Sequence, residues 1–164
     1  MSGISLNAKP IRAKPESTWK TLLECSVIEV FEMMANVHLE ALASPEGEPR
    51  GDFTAMVGMA GALCGMTSVR CPRTLAAKLA AAMLGEESTS SPSAPEDALG
   101  ELCNMVAGNF KSKISNLADH CLLSVPTVIS GEDYTMQPLQ PVQSFVSAFR
   151  YDGTQIWVSL VVHE

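Results

Sequence analysis

Residues 143–163, QSFVSAFRYDGTQIWVSLVVH, decide the fold class. Two runs rich in Val, Ile, Leu and aromatic residues, Gln143–Tyr151 and Thr154–His163, flank the dipeptide Asp152–Gly153. Both turn positions tolerate positive φ, so the pair predicts a two-residue β-hairpin. Strands joined this way run antiparallel. Upstream, Cys121–Ser130 has the same strand-like composition. Asp52–Ala60 and Ala62–Cys71 predict another hairpin, broken at Gly61.

Around these strands the period changes. Ser17–Leu42 carries Trp19, Leu22, Leu23, Val27, Val30, Phe31, Met34 and Val37 at three- and four-residue steps, which predicts a helix. Ser44–Gly51, SPEGEPRG, is a turn-rich break. Pro72 opens a short helix, PRTLAAKLAAAMLG, with Leu75, Leu79 and Met83 on one side and Gly85 as its end signal. Beyond the polar connector, Ser93 and Glu96 match a capping box, with Pro95 in the tolerant first turn. A helix from about Ala94 to about Ala118 is expected there. The order is helix, two strands, short helix, linker, helix, three strands. It predicts an α+β fold, a largely antiparallel sheet packed with long helices. We read one domain over 1–164, in two related halves, 17–85 and 96–164, with a linker at 86–95.

Composition narrows the function. The 164 residues are 46% hydrophobic and 18% charged, enough apolar material for a core without disulfides or metals. A net charge of −7 argues against a nucleic-acid surface and against anionic lipid. The first residues, MSGISLNAKPIRAKPES, lack the apolar core of a signal peptide. No run approaches the roughly 18 apolar residues of a membrane span. A cytoplasmic location is expected. Cys25, Cys64, Cys71, Cys103 and Cys121 are scattered in apolar patterns and read as buried, reduced thiols. The methionines, Met33, Met34, Met56 and Met59 among them, read as core filler, and Trp19 and Trp157 as buried anchors. His38, His120 and His163 are isolated, so no metal site is expected on the chain. Gly58, Gly61 and Gly65 spell no nucleotide-binding motif and read as marks of close strand packing or a turn.

The helix after the linker, EDALGELCNMVAGNFKSKISNLADH, has two faces at about 100° per residue. Leu99, Leu102, Cys103, Val106, Phe110, Ile114 and Leu117 share the face that buries. Asp97, Glu101, Asn104, Gly108 and Lys111 cluster on the opposite side. Glu101 and Asn104, three apart, are neighbours on that surface. By pattern alone such a pair is ordinarily just a solvated face. Gly108 costs about 1 kcal/mol relative to Ala on a face where Ala fits, which suits the close approach of another surface.

The string ELCNMVAGNFKSKI, followed by CLLSVPTVISG, resembles the CheX-like chemotaxis phosphatases of the CheC/CheX/FliY group. That family's pattern is Asp or Ser, three residues, Glu, two residues, Asn, and a Pro about twenty-two residues on. Asp97, Glu101 and Asn104 fit it, and Pro126 follows after 21 intervening residues. The resemblance implies a CheC-like fold and a phosphatase that dephosphorylates the aspartyl-phosphate of a CheY-like response-regulator receiver. It assigns Asn104 to positioning an in-line water and Glu101 to pairing with the receiver's lysine. Asp97, Gly108, Lys111 and Pro126 become partner-binding residues. The divalent metal is expected on the receiver, with no cofactor on this chain. A homodimer is implied too. The alternative is a non-catalytic receiver-binding or dimerising module of the same fold. Some relatives carry a second centre in the first half. Here Glu24 and Glu29 lack an Asn three residues later, and Glu32 is followed by Ala35, so a single centre is expected.

Overall fold

The computed structural model describes residues 16–88, 91–114 and 119–163. The chain runs α1 (Glu16–Ala35), β1 (Glu40–Ala41), β2 (Phe53–Gly61), β3 (Gly65–Cys71), α2 (Arg73–Leu84), α3 (Ala94–Ser112), β4 (Cys121–Leu123), β5 (Thr127–Ser130), β6 (Val142–Tyr151) and β7 (Thr154–His163). All pairings are antiparallel, in the order β1-β6-β7-β3-β2-β4, with β5 also on β2. The α+β class and the largely antiparallel sheet agree with the expectation.

Each half contains a helix, an edge segment and a hairpin. The edge segments are exchanged. β1 of the first half pairs with β6 of the second, while β4 and β5 of the second pair with β2 of the first. β3 and β7 join the halves at the centre of the sheet.

Alternation sets the layers. Phe53, Ala55, Val57 and Met59 of β2 are buried, as are Ile156, Val158, Leu160 and Val162 of β7. They share one core with Leu23, Val27 and Phe31 of α1, Leu75 and Leu79 of α2, and Leu99, Leu102, Val106 and Phe110 of α3. A period of two in the strands thus meets a period of 3.6 in the helices. Trp19 and Trp157 are both buried. Trp19 stands edge-on to Phe110 at a centroid separation of 6.4 Å. The other sheet face, with loops 48–52 and 132–138, bounds a broad cleft of about 1430 Å³ lined by Arg70, Tyr134 and Trp157.

Several expectations need correction. The first helix stops at Ala35, not Leu42, because Asn36 adopts the left-handed region (φ 52°). Asn tolerates that conformation better than most residues. Leu42 instead donates its N–H to Ala148 O beside β1, a strand the helical period concealed. β3 begins at Gly65 rather than Ala62. The run 121–130 is two strands, not one. Met59 pairs with Leu123 and Met56 with Thr127, so Val57 and Gly58 face three residues, Ser124, Val125 and Pro126. This is a β-bulge, placed where Pro126 has no N–H for the ladder.

The capping box is also not formed. Ser93 is itself helical in φ and ψ, and its Oγ donates to Asp97 Oδ2 (3.2 Å) instead of capping a backbone N–H. α3 ends at Ser112, and the expected stretch 115–118, with Leu117, lies outside the described residues. α2 matches its expectation, closing on Gly85 (φ 67°) with Gly85 N–H to Ala82 O and Glu86 N–H to Ala81 O. Gly61 is needed for close approach, since a Cβ there would lie 2.2 Å from His120 O. Cys25 and Cys64 are exposed, against expectation, and Met33 lies on the surface. Burial pushes the Cys71 and Cys103 thiols up to about 12, so both stay protonated.

Candidate active site

α3 packs its apolar stripe onto β2 and β3 and turns the remainder outward. Leu99, Leu102, Cys103, Val106 and Phe110 are fully buried. Cys103 Sγ contacts Ala55 O (3.5 Å) and Thr67 O (3.6 Å), which sets the helix against the sheet. The residue after this inward thiol is Asn104, half-buried, and one turn earlier Glu101 is exposed. Glu101 and Asn104 are thus adjacent on the outer side of α3, as the helical period predicts. Neither lines the cleft on the far sheet face.

The other candidates fall around this pair. Asp97 is exposed at the N-terminal end, where a carboxylate suits the helix dipole. Lys111 is half-buried in the last turn, where a cation suits it. Pro126 comes from the bulge and lies against α3. A Cβ built on Gly100 would sit 3.5 Å from Pro126 Cβ and 3.5 Å from Val128 Cγ2. Gly108 is beside Leu123, whose Cδ1 would be 3.9 Å from an added Cβ. Asn104 is therefore centred between two glycines, each one turn away, on the side of α3 facing the bulge.

The opposite flank of α3 is polar. Lys113 Nζ lies 2.7 Å from Glu29 Oε2 of α1, and Asn109 Nδ2 donates to the same oxygen at 3.3 Å. The Lys113 ammonium beside it holds the Glu29 carboxyl below its ordinary value. Lys113 thereby ties α1 to α3. Among the described residues no group of three His, Cys, Asp or Glu side chains is placed to hold a metal.

The first half carries no copy of the pair. Leu23, Val27 and Phe31 of α1 have the spacing and burial of Leu102, Val106 and Phe110 of α3. That correspondence sets Leu22 at the place of Glu101 and Cys25 at the place of Asn104. Leu123 and Val125 escaped the sequence reading, although the proline in a strand-like run was a signal for a bulge.

Gly108 offers a direct test. The 3.9 Å contact leaves room for a methyl group, so Gly108→Ala is expected to raise unfolding stability by up to about 1 kcal/mol. Urea titration measures it. A loss of stability would mean that Leu123 leaves no room for a methyl group at this turn.

A helix-covered antiparallel sheet built from two strand-exchanging halves, with an outward Glu-x-x-Asn pair on the second long helix, defines the class. Its family follows. Residues 53–150 match the family described as "Chemotaxis phosphatase CheX", and the chain belongs to that family. In fold it is similar to the chemotaxis protein CheX from Vibrio vulnificus, at 22% identity and TM-score 0.77, covering 92% of this chain and 100% of that one. A CheC-like superfamily protein from Shewanella is similar at 24% identity and TM-score 0.77, over 93% of this chain and 100% of its own. The CheX–CheY–BeF3–Mg complex from Borrelia burgdorferi gives 19% identity and TM-score 0.73, over 89% and 98%. No curated protein sequence matches the chain.

Proposed function

We propose that this chain hydrolyses the aspartyl-phosphate of a CheY-like receiver, with Asn104 positioning the attacking water and Glu101 engaging the receiver's lysine. The observation that carries this reading is the pair itself. A carboxylate and a carboxamide stand side by side on the outside of a helix, away from the protein's own cleft. A group displayed outward suits a reaction whose pocket belongs to another protein. Membership in a phosphatase family supports it, as does the fold shared with a CheX crystallised with CheY.

Phosphoryl transfer requires little covalent help; positioning and charge stabilisation supply most of the rate. The receiver brings the divalent metal and lysine, so this chain is proposed to need no cofactor of its own. What it contributes is the water. The Asn104 carboxamide both accepts and donates hydrogen bonds without becoming charged, so it can hold one water in one orientation. The water oxygen bonds to phosphorus as the bond from phosphorus to the aspartyl oxygen breaks. Inorganic phosphate and a free carboxylate result. Pairing of Glu101 with the receiver's lysine fixes the register between the proteins.

The remaining assignments belong to the same proposal. Asp97, Gly108, Lys111 and Pro126 meet the receiver, the chain carries one centre, and it works as a homodimer in the cytoplasm, on neither membrane nor nucleic acid. Among the described residues no helix is long and apolar enough to cross a membrane.

A phosphate-release assay over phosphorylated receivers from the source organism tests the reading. Acceleration of at least one receiver is expected; a chain that binds a receiver without shortening its phosphate lifetime is only a binding module. Glu101→Ala is expected to raise KM about tenfold or more and to slow turnover, since removing one member of a buried charge pair strands the other. Unchanged association would remove the lysine-pairing role.

A further inference from the structure

We propose that the cleft on the sheet face away from the helices binds a monocarboxylic acid with an extended apolar body, its carboxylate held by Arg70. The site is separate from the phosphatase reading, because neither Glu101 nor Asn104 lines the cleft. A strap roofs it. Residues 131–141 leave β5, which pairs with the outer side of β2, and enter β6 beyond β7. They therefore cross the sheet over β2, β3 and β7, with about 1430 Å³ open beside them. One end of the strap is pinned: Gly131 N–H donates to Asp52 O (2.9 Å), and the Tyr134 hydroxyl meets Thr54 Oγ1.

Arg70 lies under that pinned end. Its guanidinium stacks on the Tyr134 ring, 4.4 Å from the centroid, and its Nε–H donates to Gly51 O (3.2 Å). Stacking fixes the plane of the group, and the Nε bond fixes its rotation within that plane. The two terminal nitrogens keep their donors, for Arg70 makes no ion pair among the described residues. A half-buried guanidinium held this way offers the parallel donors that a carboxylate accepts in bidentate fashion. The acids nearby do not satisfy it. Asp52 Oδ2 accepts from Arg73 N–H at the start of α2 (3.4 Å), and Glu48, Glu132 and Asp133 are exposed at the lip. Those lip carboxylates repel a dianionic phosphate more than a single carboxylate, which selects the monoanion.

Away from Arg70 the floor turns apolar. The strand registers set Met56 beside Ser68 and Ser159, and Met66 beside Val161. The two serine hydroxyls bond each other at 2.6 Å, so the floor makes little polar demand on a ligand. Met66 and Val161 are only half-buried, and Val146 is exposed. Met136 of the strap lines the same space, and methionines repack readily around a guest. From Arg70 to Met66 the strand β3 advances about 13 Å. An extended alkyl chain such as that of decanoate covers this length, and its removal from water against such a floor is favourable. Charge at one end and apolar surface along the rest thus define the ligand class.

The test titrates the full chain with decanoate below its micellar concentration, by calorimetry and by methionine-methyl NMR. Saturable binding is expected, with shifts at Met56 and Met66 and none at Met33 on the surface of α1. Octanoate should bind about tenfold more weakly, since each buried methylene contributes about fourfold. Decyltrimethylammonium, with the same tail and the opposite charge, should bind at least tenfold more weakly than decanoate. Arg70→Gln is expected to cost decanoate about tenfold or more, and Arg70→Lys, which keeps the charge without the fork, to recover part of it. Urea midpoints show whether these variants fold, and the methyl shifts of the wild type decide the site even if they do not. No saturable binding, equal affinity for the ammonium probe, or equal affinity in a folded Arg70→Gln overturns the proposal. So does decanoate binding that leaves Met56 and Met66 unmoved. Shifts at Met56 and Met66 that follow protein concentration and ignore decanoate would assign the face to a second copy of the chain, which also overturns it.

Discussion

Asn104→Ala is expected to lower kcat for receiver dephosphorylation by about 100-fold or more while binding stays within about twofold. Misplacing a reacting group by an ångström costs on that order, and losing a preorganised hydrogen-bonding group has a similar effect. Ala suits the helix better than Asn does. The side chain is half-buried on the side of α3 turned to the bulge and makes no hydrogen bond among the described residues, so stability should not suffer. Phosphate release under saturating phosphorylated receiver measures kcat, and titration with a beryllofluoride-loaded receiver measures binding. Turnover equal to the wild type would end the water-positioning role. A loss confined to binding would make Asn104 a docking residue.

Phe110→Ala is expected to destabilise the fold by about 3–5 kcal/mol, the range for emptying a buried aromatic site. Phe110 is completely buried and meets Trp19 edge-on, with rings inclined at 83°. That contact fastens α1 to α3 and so fixes the direction in which α3 displays its polar face. Urea unfolding gives the loss, and Trp19 emission should change in the folded variant because its ring neighbour is gone. A loss below about 1 kcal/mol would show that the aromatic pair is not packed as seen. Phe110→Leu should recover part of the stability.

Much of this architecture was legible because local chemistry and tertiary environment agree. Asp152 and Gly153 both adopt positive φ (49° and 74°), as an Asp-Gly turn demands. Pro72 and Gly85 bound α2 for equally local reasons. The two-faced pattern of α3 was readable because one face meets a sheet and the other does not. The failures share a cause as well. β1 is two residues long and exists only because β6 offers Arg150 and Phe149 as partners, so no local period announces it. Val37 and Leu39 extend the helical spacing of α1, yet Asn36 turns the chain and both bury in the core by another route. Ser93 has the composition of a cap but not its backbone angles.

At the site, the helical period was enough to align Glu101 with Asn104. It carried no information about what flanks them. Pro126 was identified by family resemblance, whereas its neighbour Val125 depends on a one-residue offset between two strand registers. Such an offset is a property of paired chains, and a single strand shows no trace of it.

The exchange of edge segments has a consequence for the chain as it leaves the ribosome. When residues up to Leu84 have emerged, the first hairpin exists with the outer rim of β2 bare, and β1 has nothing to lie against. Both vacancies are closed only by stretches synthesised much later, 121–130 and 142–151. The nascent first half is thus an unfinished sheet with a sticky margin, the kind of surface on which holding chaperones act and aggregates begin.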